Sequence, residues 1–279
     1  MDQKRIKELN KIASLARQLI VEAIISAGCG HPGGAFSSVD IMTALYFEIM
    51  NIDPQNPRST DRDRFILSKG HSSVGLYSVM HLKGFFGQET LLSFRQDNSS
   101  LSGHPDMHKV PGIEMSTGSL GHGLSVGIGM ALAAKLNKNK HRVFVLLGDG
   151  ETQEGSVWEA AMSAAHFKLD NLVAIVDRNM IQIDGRTEEI MALEPYQNKW
   201  ESFGWQVKQI DGHNMEEIIT TLRGIPFMTQ KPSLIIANTI KGKGISFMEN
   251  THEWHGGAPK GEYAQIARNE TALMLEGEV

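Results

Sequence analysis

The sequence predicts an α/β protein, a parallel sheet with helices on both faces. Three observations carry this. Strand-like runs recur at residues 142–147, 172–177, 205–210 and 233–239, with the first two almost continuously apolar, the pattern of a parallel sheet covered on both faces. Helical patterns at 156–166 and 215–222 lie between runs, as crossover connections require. Two of the runs stop abruptly on polar residues, Gly-Asp-Gly at 148–150 and Asp-Arg-Asn at 177–179. In open parallel sheets such carboxyl ends are where ligands gather.

The remaining elements follow in chain order. Apolar positions at helical spacing predict a helix over about 6–27. The glycines and proline of "AGCGHPGG" (27–34) break it. A second helix is expected from about Ser38, with Asp53-Pro54 in the loop after it. "RFILSKGHSS" reads as a short strand, a loop and a helix. Residues 103–123 begin as a loop, and "GLSVGIGMALAAKL" reads as a helix whose small residues suit close packing. Residues 241–260 are Gly- and His-rich without periodicity and read as a loop, followed by a last helix over 263–275. No internal repeat or low-complexity tract interrupts this order. The expectation is one domain over 1–279, its C-terminal loop and helix occupying 241–279.

Composition narrows the function. The 279 residues are 41% hydrophobic and 21% charged, ordinary globular values, and the net charge of −5 gives no basis for nucleic-acid or acidic-membrane binding. With a single cysteine no internal disulfide can form, which fits a reducing compartment. The charged, amphipathic N-terminus does not read as a signal peptide, and no stretch has the length of an apolar membrane span. A soluble, cytoplasmic protein is expected.

Asp149 and Asn179 each follow a strand, with residues 151–178 between Gly150 and Asn179. That is room for one crossover helix and the next strand, so both side chains can reach one crevice. A carboxylate, an amide oxygen and a backbone carbonyl are hard oxygen ligands suited to Mg²⁺ or Ca²⁺. Gly148 and Gly150 let backbone approach a large anion. A helix starting near Thr152 would aim its amide groups at that anion. Metal plus helix terminus describes a diphosphate site. Gly-Asp-Gly alone is also a common turn; the pairing with Asn179 is what raises it above one.

This pairing resembles the thiamine diphosphate fingerprint, in which the Asp, the Asn and the carbonyl two residues beyond the Asn hold the metal. Carried over, these are Asp149, Asn179 and the carbonyl of Ile181. Arg178 departs from the usual acid or asparagine at its position, which is not a ligand position. Further loops occur in a fixed order: "GHPGG" (30–34), "SKGHSS" (68–73), "SGHPD" (102–106), "STGSLGHG" (116–123), "GDGETQEG" (148–155) and "HEWHGGAP" (252–259). Each alone is weak. Together they are similar to the N-terminal, diphosphate-binding region of transketolases, from the first helix to Pro259.

The resemblance implies transfer of a two-carbon ketol unit from a ketose to an aldose, with the cofactor as electron sink. It places His71 and His255 by the diphosphate, and His31 and His104 toward the sugar. Imidazole can donate to diphosphate or hydroxyl oxygens and carry protons near neutral pH. His31, His104 and His255 are the catalytic candidates. His71, Ser119, Leu120, Gly121, Gly148, Asp149, Gly150, Glu154, Asn179 and His255 are the cofactor-binding ones. A lone His is more often a surface or satisfied core residue, and His81, His108, His141, His166 and His213 are read that way. His122 stands where many relatives have Gln, and Ser119 where long transketolases usually have Pro. Glu154 is either a solvated first-turn acid or, as the resemblance implies, part of a carboxylate network joining two active sites across a dimer. Cys29, usually Ser in relatives, is not read as a nucleophile.

In the family, the Glu that activates the aminopyrimidine lies in a second domain, and nothing here resembles that domain. Met1 reads as a natural start. The chain is therefore expected to be the N-terminal subunit of a split transketolase, working with a separately encoded C-terminal subunit, most simply as α2β2. Two other readings stay open. One is the α subunit of another two-subunit thiamine enzyme of the 2-oxoacid dehydrogenase type, which shares GDG…N but lacks the SKGH, GHP and WHG loops. The other is a non-catalytic cofactor-binding module. Deoxyxylulose phosphate synthase, with a related GH loop, keeps its domains in one chain. The sugar is not named by the sequence.

Overall fold

A computed structural model describes residues 2–277. Of the expected domain over 1–279, Met1, Glu278 and Val279 lie outside the described residues. Helix α1 (Gln3–Ala27) starts at Asp2, whose side chain caps the Lys4 amide, and ends on Gly28 at φ 66°. That left-handed ending is what glycine allows. Helix α2 (Pro32–Ala44) begins six residues before the expected Ser38. Its proline sits at the first helical position, where no amide partner is lost. Gly33 and Gly34, which look like breakers, lie inside it because neighbours crowd their α-carbons. A Cβ at Gly33 would stand 2.9 Å from Lys241 Cε, and one at Gly34 2.6 Å from Ser72 Oγ.

A π-turn at Leu45–Ile49 leads to β1 (Arg64–Leu67), followed by α3 (Ser73–Lys83) and α4 (Gln88–Leu92). Helix α5 (His122–Leu136) precedes β2 (Val143–Gly148). Helix α6 (Gly155–His166) crosses to β3 (Leu172–Arg178). A small antiparallel hairpin, β4 (Ile181–Gln182) and β5 (Gly185–Arg186), then α7 (Thr187–Ile190) and α8 (Tyr196–Ser202), fill a stretch without sequence periodicity. Strand β6 (Gln206–Asp211), α9 (Met215–Arg223), β7 (Ser233–Asn238) and α10 (Glu262–Glu276) complete the chain.

The sheet order is β1-β2-β3-β7-β6, and every pair is parallel. The period-two geometry of strands divides the side chains between two cores. Phe144, Leu146, Val173, Ile175 and Ile235 join the core built with α1, α2, α3 and α9. Val143, Val145, Leu147, Ala174, Val176 and Ile236 join the core with α5, α6 and α8. The continuous apolar runs are therefore a consequence of two covered faces. The small residues of α5 act as expected. A Cβ on Gly127 would lie 2.6 Å from Val145 Cγ2, and one on Gly123 2.3 Å from Ser68 Oγ. Adding a methyl at such a contact costs about 1–3 kcal/mol. No described helix is long and apolar enough to cross a membrane.

Candidate functional site

Strands β2 and β3 end side by side, Gly148 opposite Asp177. The next residues, Asp149 and Asn179, therefore emerge together. Asp149 is buried. Its Oδ1 accepts from the Gly150 amide at 2.8 Å, and its Oδ2 accepts from the Met180 amide at 2.6 Å and Arg178 Nη1 at 3.3 Å. Met180 has φ 66°, a left-handed conformation uncommon for a side chain of its size. That bend comes between Asn179 and Ile181, and both face one cavity of about 300 Å³. Asn179 Nδ2 donates to Asp177 Oδ2 at 3.0 Å, and its Oδ1 accepts from the Ile181 amide at 3.1 Å. The Ile181 carbonyl accepts from Lys241 Nζ at 2.8 Å.

The same cavity is lined by Leu120, Gly148, Gly150, Glu154, His71 and His255. Its donors suit a divalent cation: one carboxylate, one amide and one carbonyl oxygen, the last already facing an ammonium group as a stand-in cation. Among the described residues no three acids, histidines or cysteines group as a metal site. A metal held here would take neutral oxygens beside Asp149, with coordination positions left over for water or for the oxygens of a diphosphate.

Buried charges surround the cavity, and sequence reasoning missed most of them. Burial pushes the Asp149 carboxyl up to about 6, against the pull of the Arg178 guanidinium. Asp177 is fully buried too, but the Lys69 ammonium, 2.6 Å away, with the hydroxyls of Ser37 and Thr239, holds it below the usual range. Arg178, the departure in Asp-Arg-Asn, pairs with Asp149, with Glu188 at 2.9 Å and with Glu194 at 3.0 Å, and its guanidinium lies over the Tyr196 ring. It thereby ties the segment after β5 to Asp149. Glu151 looks in the sequence like an ordinary first-turn acid. It is buried, accepting from Ser68 Oγ and the amides of Gly121 and Gly148. One carboxylate thus joins the SKGH, SLGHG and GDG loops.

The four expected histidines converge. His31 lies between the others, its ring centroid 5.4 Å from His71, 5.7 Å from His255 and 6.2 Å from His104; His71 and His255 are 5.0 Å apart. His71 and His255 line the cavity, whereas His104 lines a separate open cleft of about 1010 Å³ with Arg95, Lys109 and Cys29. Backbone bonds bring the distant loops together: Gly242 N donates to Gly33 O at 3.0 Å and Gly257 N to Gly30 O at 2.8 Å. Burial lowers the His31 pKa to about 4, helped by Arg95, and that of His255 to about 3, helped by Lys241. His71 and His104 are lowered as well, chiefly by burial. Near neutral pH these imidazoles are therefore neutral hydrogen-bonding groups.

Three other expectations change. The turn after Gly-Asp-Gly is a 3-10 turn at Gly150–Gln153, and α6 begins only at Gly155. The Thr152 hydroxyl bonds back to the Asp149 carbonyl at 2.6 Å within that 3-10 turn, and the α-helix follows it rather than starting near Thr152. Ser119 is exposed and outside the cavity lining. Gly121 is also outside it; at φ 84° it precedes α5 and gives its amide to Glu151, leaving Leu120 as the residue of that loop on the cavity wall. Glu154 is on the wall, packed against Gly121. His122 is exposed at the start of α5. The histidines read as structural behave so where contacts are seen: His213 Nδ1 lies 2.8 Å from Asp40 Oδ2, its Nε2 accepts from the Ile240 amide, and His81 Nδ1 meets the Phe86 carbonyl. Cys29 is exposed, 3.6 Å from Arg95 Nη1.

Comparison with known proteins agrees with this geometry. Residues 8–276 match the family model described as transketolase, thiamine diphosphate binding domain. An apulose-4-phosphate transketolase subunit of Phocaeicola vulgatus is 49% identical over 260 residues, 93% of this chain and 92% of that one. The 6-deoxy-6-sulfo-D-fructose transketolase subunit SqwG of a Clostridium species is 46% identical over 249 residues, 89% of this chain and 90% of its own. Human transketolase is 41% identical across 91% of this chain, which spans 40% of it. The crystal structure of Campylobacter jejuni transketolase superposes with a TM-score of 0.88 at 35% identity, over 95% of this chain and 42% of that one. These matches set aside the 2-oxoacid dehydrogenase reading. A parallel sheet that brings Asp149, Asn179 and four histidines to its carboxyl edge is thus accounted for: the chain belongs to the transketolase family, as its thiamine diphosphate binding domain.

Proposed function

We propose that this chain is the diphosphate-binding subunit of a split transketolase, acting in the cytoplasm in an α2β2 assembly with a separately encoded C-terminal partner. Residues 1–279 form its single domain. The observation that carries the reading is the convergence of the Asp149 carboxylate, the Asn179 amide and the Ile181 carbonyl on the cavity that His71 and His255 also line. Support for the partner comes from relatives of similar length whose names call them transketolase subunits.

Bound thiamine diphosphate would supply the electron sink for ketol transfer. Asp149, Asn179 and the Ile181 carbonyl would hold its Mg²⁺, or Ca²⁺. His71 and His255 would donate to diphosphate oxygens, with Gly148, Gly150 and Leu120 giving close approach. Glu154, beside them, would reach the carboxylate network at the dimer contact, and Ser119 and Gly121 would set the loop. His104, on the larger cleft, and His31, beside the Arg95 that lines it, would hydrogen-bond the sugar. Two relatives are named for ketoses with an anionic end, and a ketose of that class is the proposed donor.

Titration calorimetry of the assembled subunits with thiamine diphosphate and Mg²⁺ tests the reading. Metal-dependent binding that is lost in Asp149→Ala is expected. No binding would favour a non-catalytic module, and binding indifferent to Asp149 would overturn the metal assignment.

A further inference from the structure

His213 stands between β6 and α9 and does not line the cavity. Its two ring nitrogens face different groups. Nε2 lies 2.9 Å from the Ile240 amide, and Nδ1 lies 2.8 Å from Asp40 Oδ2. An amide N–H only donates, so Nε2 is the bare nitrogen and Nδ1 carries the proton, which it donates to Asp40. Asp40, on α2, is buried. Burial alone would raise its carboxyl, but Arg17 and the His213 bond hold it down at about 2. Arg17, from α1, donates to the two Asp40 oxygens at 2.9 and 2.6 Å, and its Nε donates to the Lys243 carbonyl at 3.3 Å.

These bonds close a bracket around one short stretch of backbone. It runs from the Ile240 amide through His213, Asp40 and Arg17 to the Lys243 carbonyl. Between its ends lies Lys241, whose ammonium donates to the Ile181 carbonyl at 2.8 Å and meets His255 Nδ1 at 3.0 Å. Among the described residues the Ile240 amide donates to no backbone carbonyl, and His213 is its acceptor. Three segments far apart in the chain therefore grip the backbone on either side of a residue that touches two groups of the cavity wall. Binding geometry has to be held to within about 0.5 Å, and a turn released from its acceptor lets Lys241 draw back from both.

We propose that His213, held in one tautomer by Asp40 and Arg17, is a positioning residue for the cofactor site: by accepting from the Ile240 amide it fixes the turn at 239–245 and, through Lys241, the Ile181 carbonyl and His255. This rests on the reading of the cavity as the thiamine diphosphate site. The role belongs to Nε2 as an acceptor, not to the ring as a packing group.

Two substitutions separate the ring nitrogens. In His213→Gln the amide oxygen takes the place of Nε2 and still accepts from Ile240. In His213→Asn the amide nitrogen takes the place of Nδ1 and still donates to Asp40, but the Ile240 amide loses its acceptor. On the assembled two-subunit protein, calorimetry with thiamine diphosphate and Mg²⁺ reads cofactor affinity, and urea unfolding reads stability. His213→Asn should weaken cofactor binding about tenfold, the order of one lost hydrogen bond. His213→Gln should stay within about threefold of the wild type, even where its urea midpoint has dropped as far. Hydrogen exchange over 238–245, read by mass spectrometry on the wild type without cofactor, should show the Ile240 amide protected. Equal losses in the two variants, affinities that simply follow the urea midpoints, or unchanged affinity in His213→Asn would each overturn the proposal, while wild-type binding leaves the cofactor reading intact. If His213→Asn does not assemble, a tenfold loss in His213→Gln or fast exchange at Ile240 in the wild type overturns it instead. Failure of the wild type to bind the cofactor would remove the cofactor reading itself, and this proposal with it.

Discussion

Glu151→Ala removes one carboxylate that serves three loops. In the folded chain Oε1 accepts from Ser68 Oγ and from the Gly121 amide at 2.9 Å, and Oε2 from the Gly148 amide at 3.0 Å. Glu151 is 3% exposed, so water does not replace it freely. Each buried donor left without a partner costs about 1–3 kcal/mol. Against this stands the relief of a carboxylate that burial already disfavours, shown by its raised pKa. With two amides and a hydroxyl stranded, the net loss is about 3 kcal/mol. Glu151→Gln keeps one acceptor and turns an amide N–H toward a donor, so it should lose about half as much. Urea unfolding followed by tryptophan fluorescence reads the stability, and calorimetry reads cofactor affinity, which should fall because Leu120 and Gly148 share those loops. A loss below about 1 kcal/mol in Glu151→Ala with unchanged cofactor affinity would show that the three loops hold their places without it.

The other predictions concern the cavity and its histidines. Asp149→Ala should abolish metal-dependent cofactor binding and Asn179→Ala should weaken it; calorimetry showing near-normal affinity in Asp149→Ala contradicts the metal assignment. His71→Ala and His255→Ala should raise the apparent cofactor constant, whereas His31→Ala and His104→Ala should lower kcat/KM for the ketose at unchanged cofactor affinity; the reverse pattern would mean the pairs are assigned to the wrong ends of the site. The depressed pKa values of His31, about 4, and His255, about 3, mean that the unfolded chain binds protons first as pH falls below the ordinary 6.5. Stability from these neutral imidazoles is therefore present above pH 6.5 and lost on going down toward pH 3–4. Urea midpoints of the wild type should drop over that window more than those of His31→Asn and His255→Asn, and parallel curves would refute the link.

The sheet was legible because its central strands are covered on both faces, which leaves the unbroken apolar runs at 143–147 and 172–176. Asp149 and Asn179 were legible because strand ends adjacent in a parallel sheet carry their next residues to one place. What escaped was whatever depends on partners far along the chain. Lys69 finds Asp177 across 108 positions and Lys241 finds Ile181 across 60, and nothing local marks either lysine as buried. Glu151 shows no sign of its three donors in "GDGETQ". The early start of α2 escaped because Gly33 and Gly34 carry the signature of a turn; their small size instead admits the Lys241 stem and Ser72. The hairpin at 181–186 and helices α7 and α8 are too short to show a period, and Arg178 fastens them through Glu188 and Glu194.

The most direct measurement is ketol transfer by the purified chain at saturating thiamine diphosphate and Mg²⁺, with and without its C-terminal partner. In the proposed function Asp149, Asn179, His71 and His255 hold the diphosphate end, and no residue here is assigned to the pyrimidine. The chain alone should bind cofactor weakly and transfer nothing, and adding the partner should restore tight binding and turnover together. Full turnover by the single chain would contradict the account, because the activating carboxylate would then have to come from within these residues.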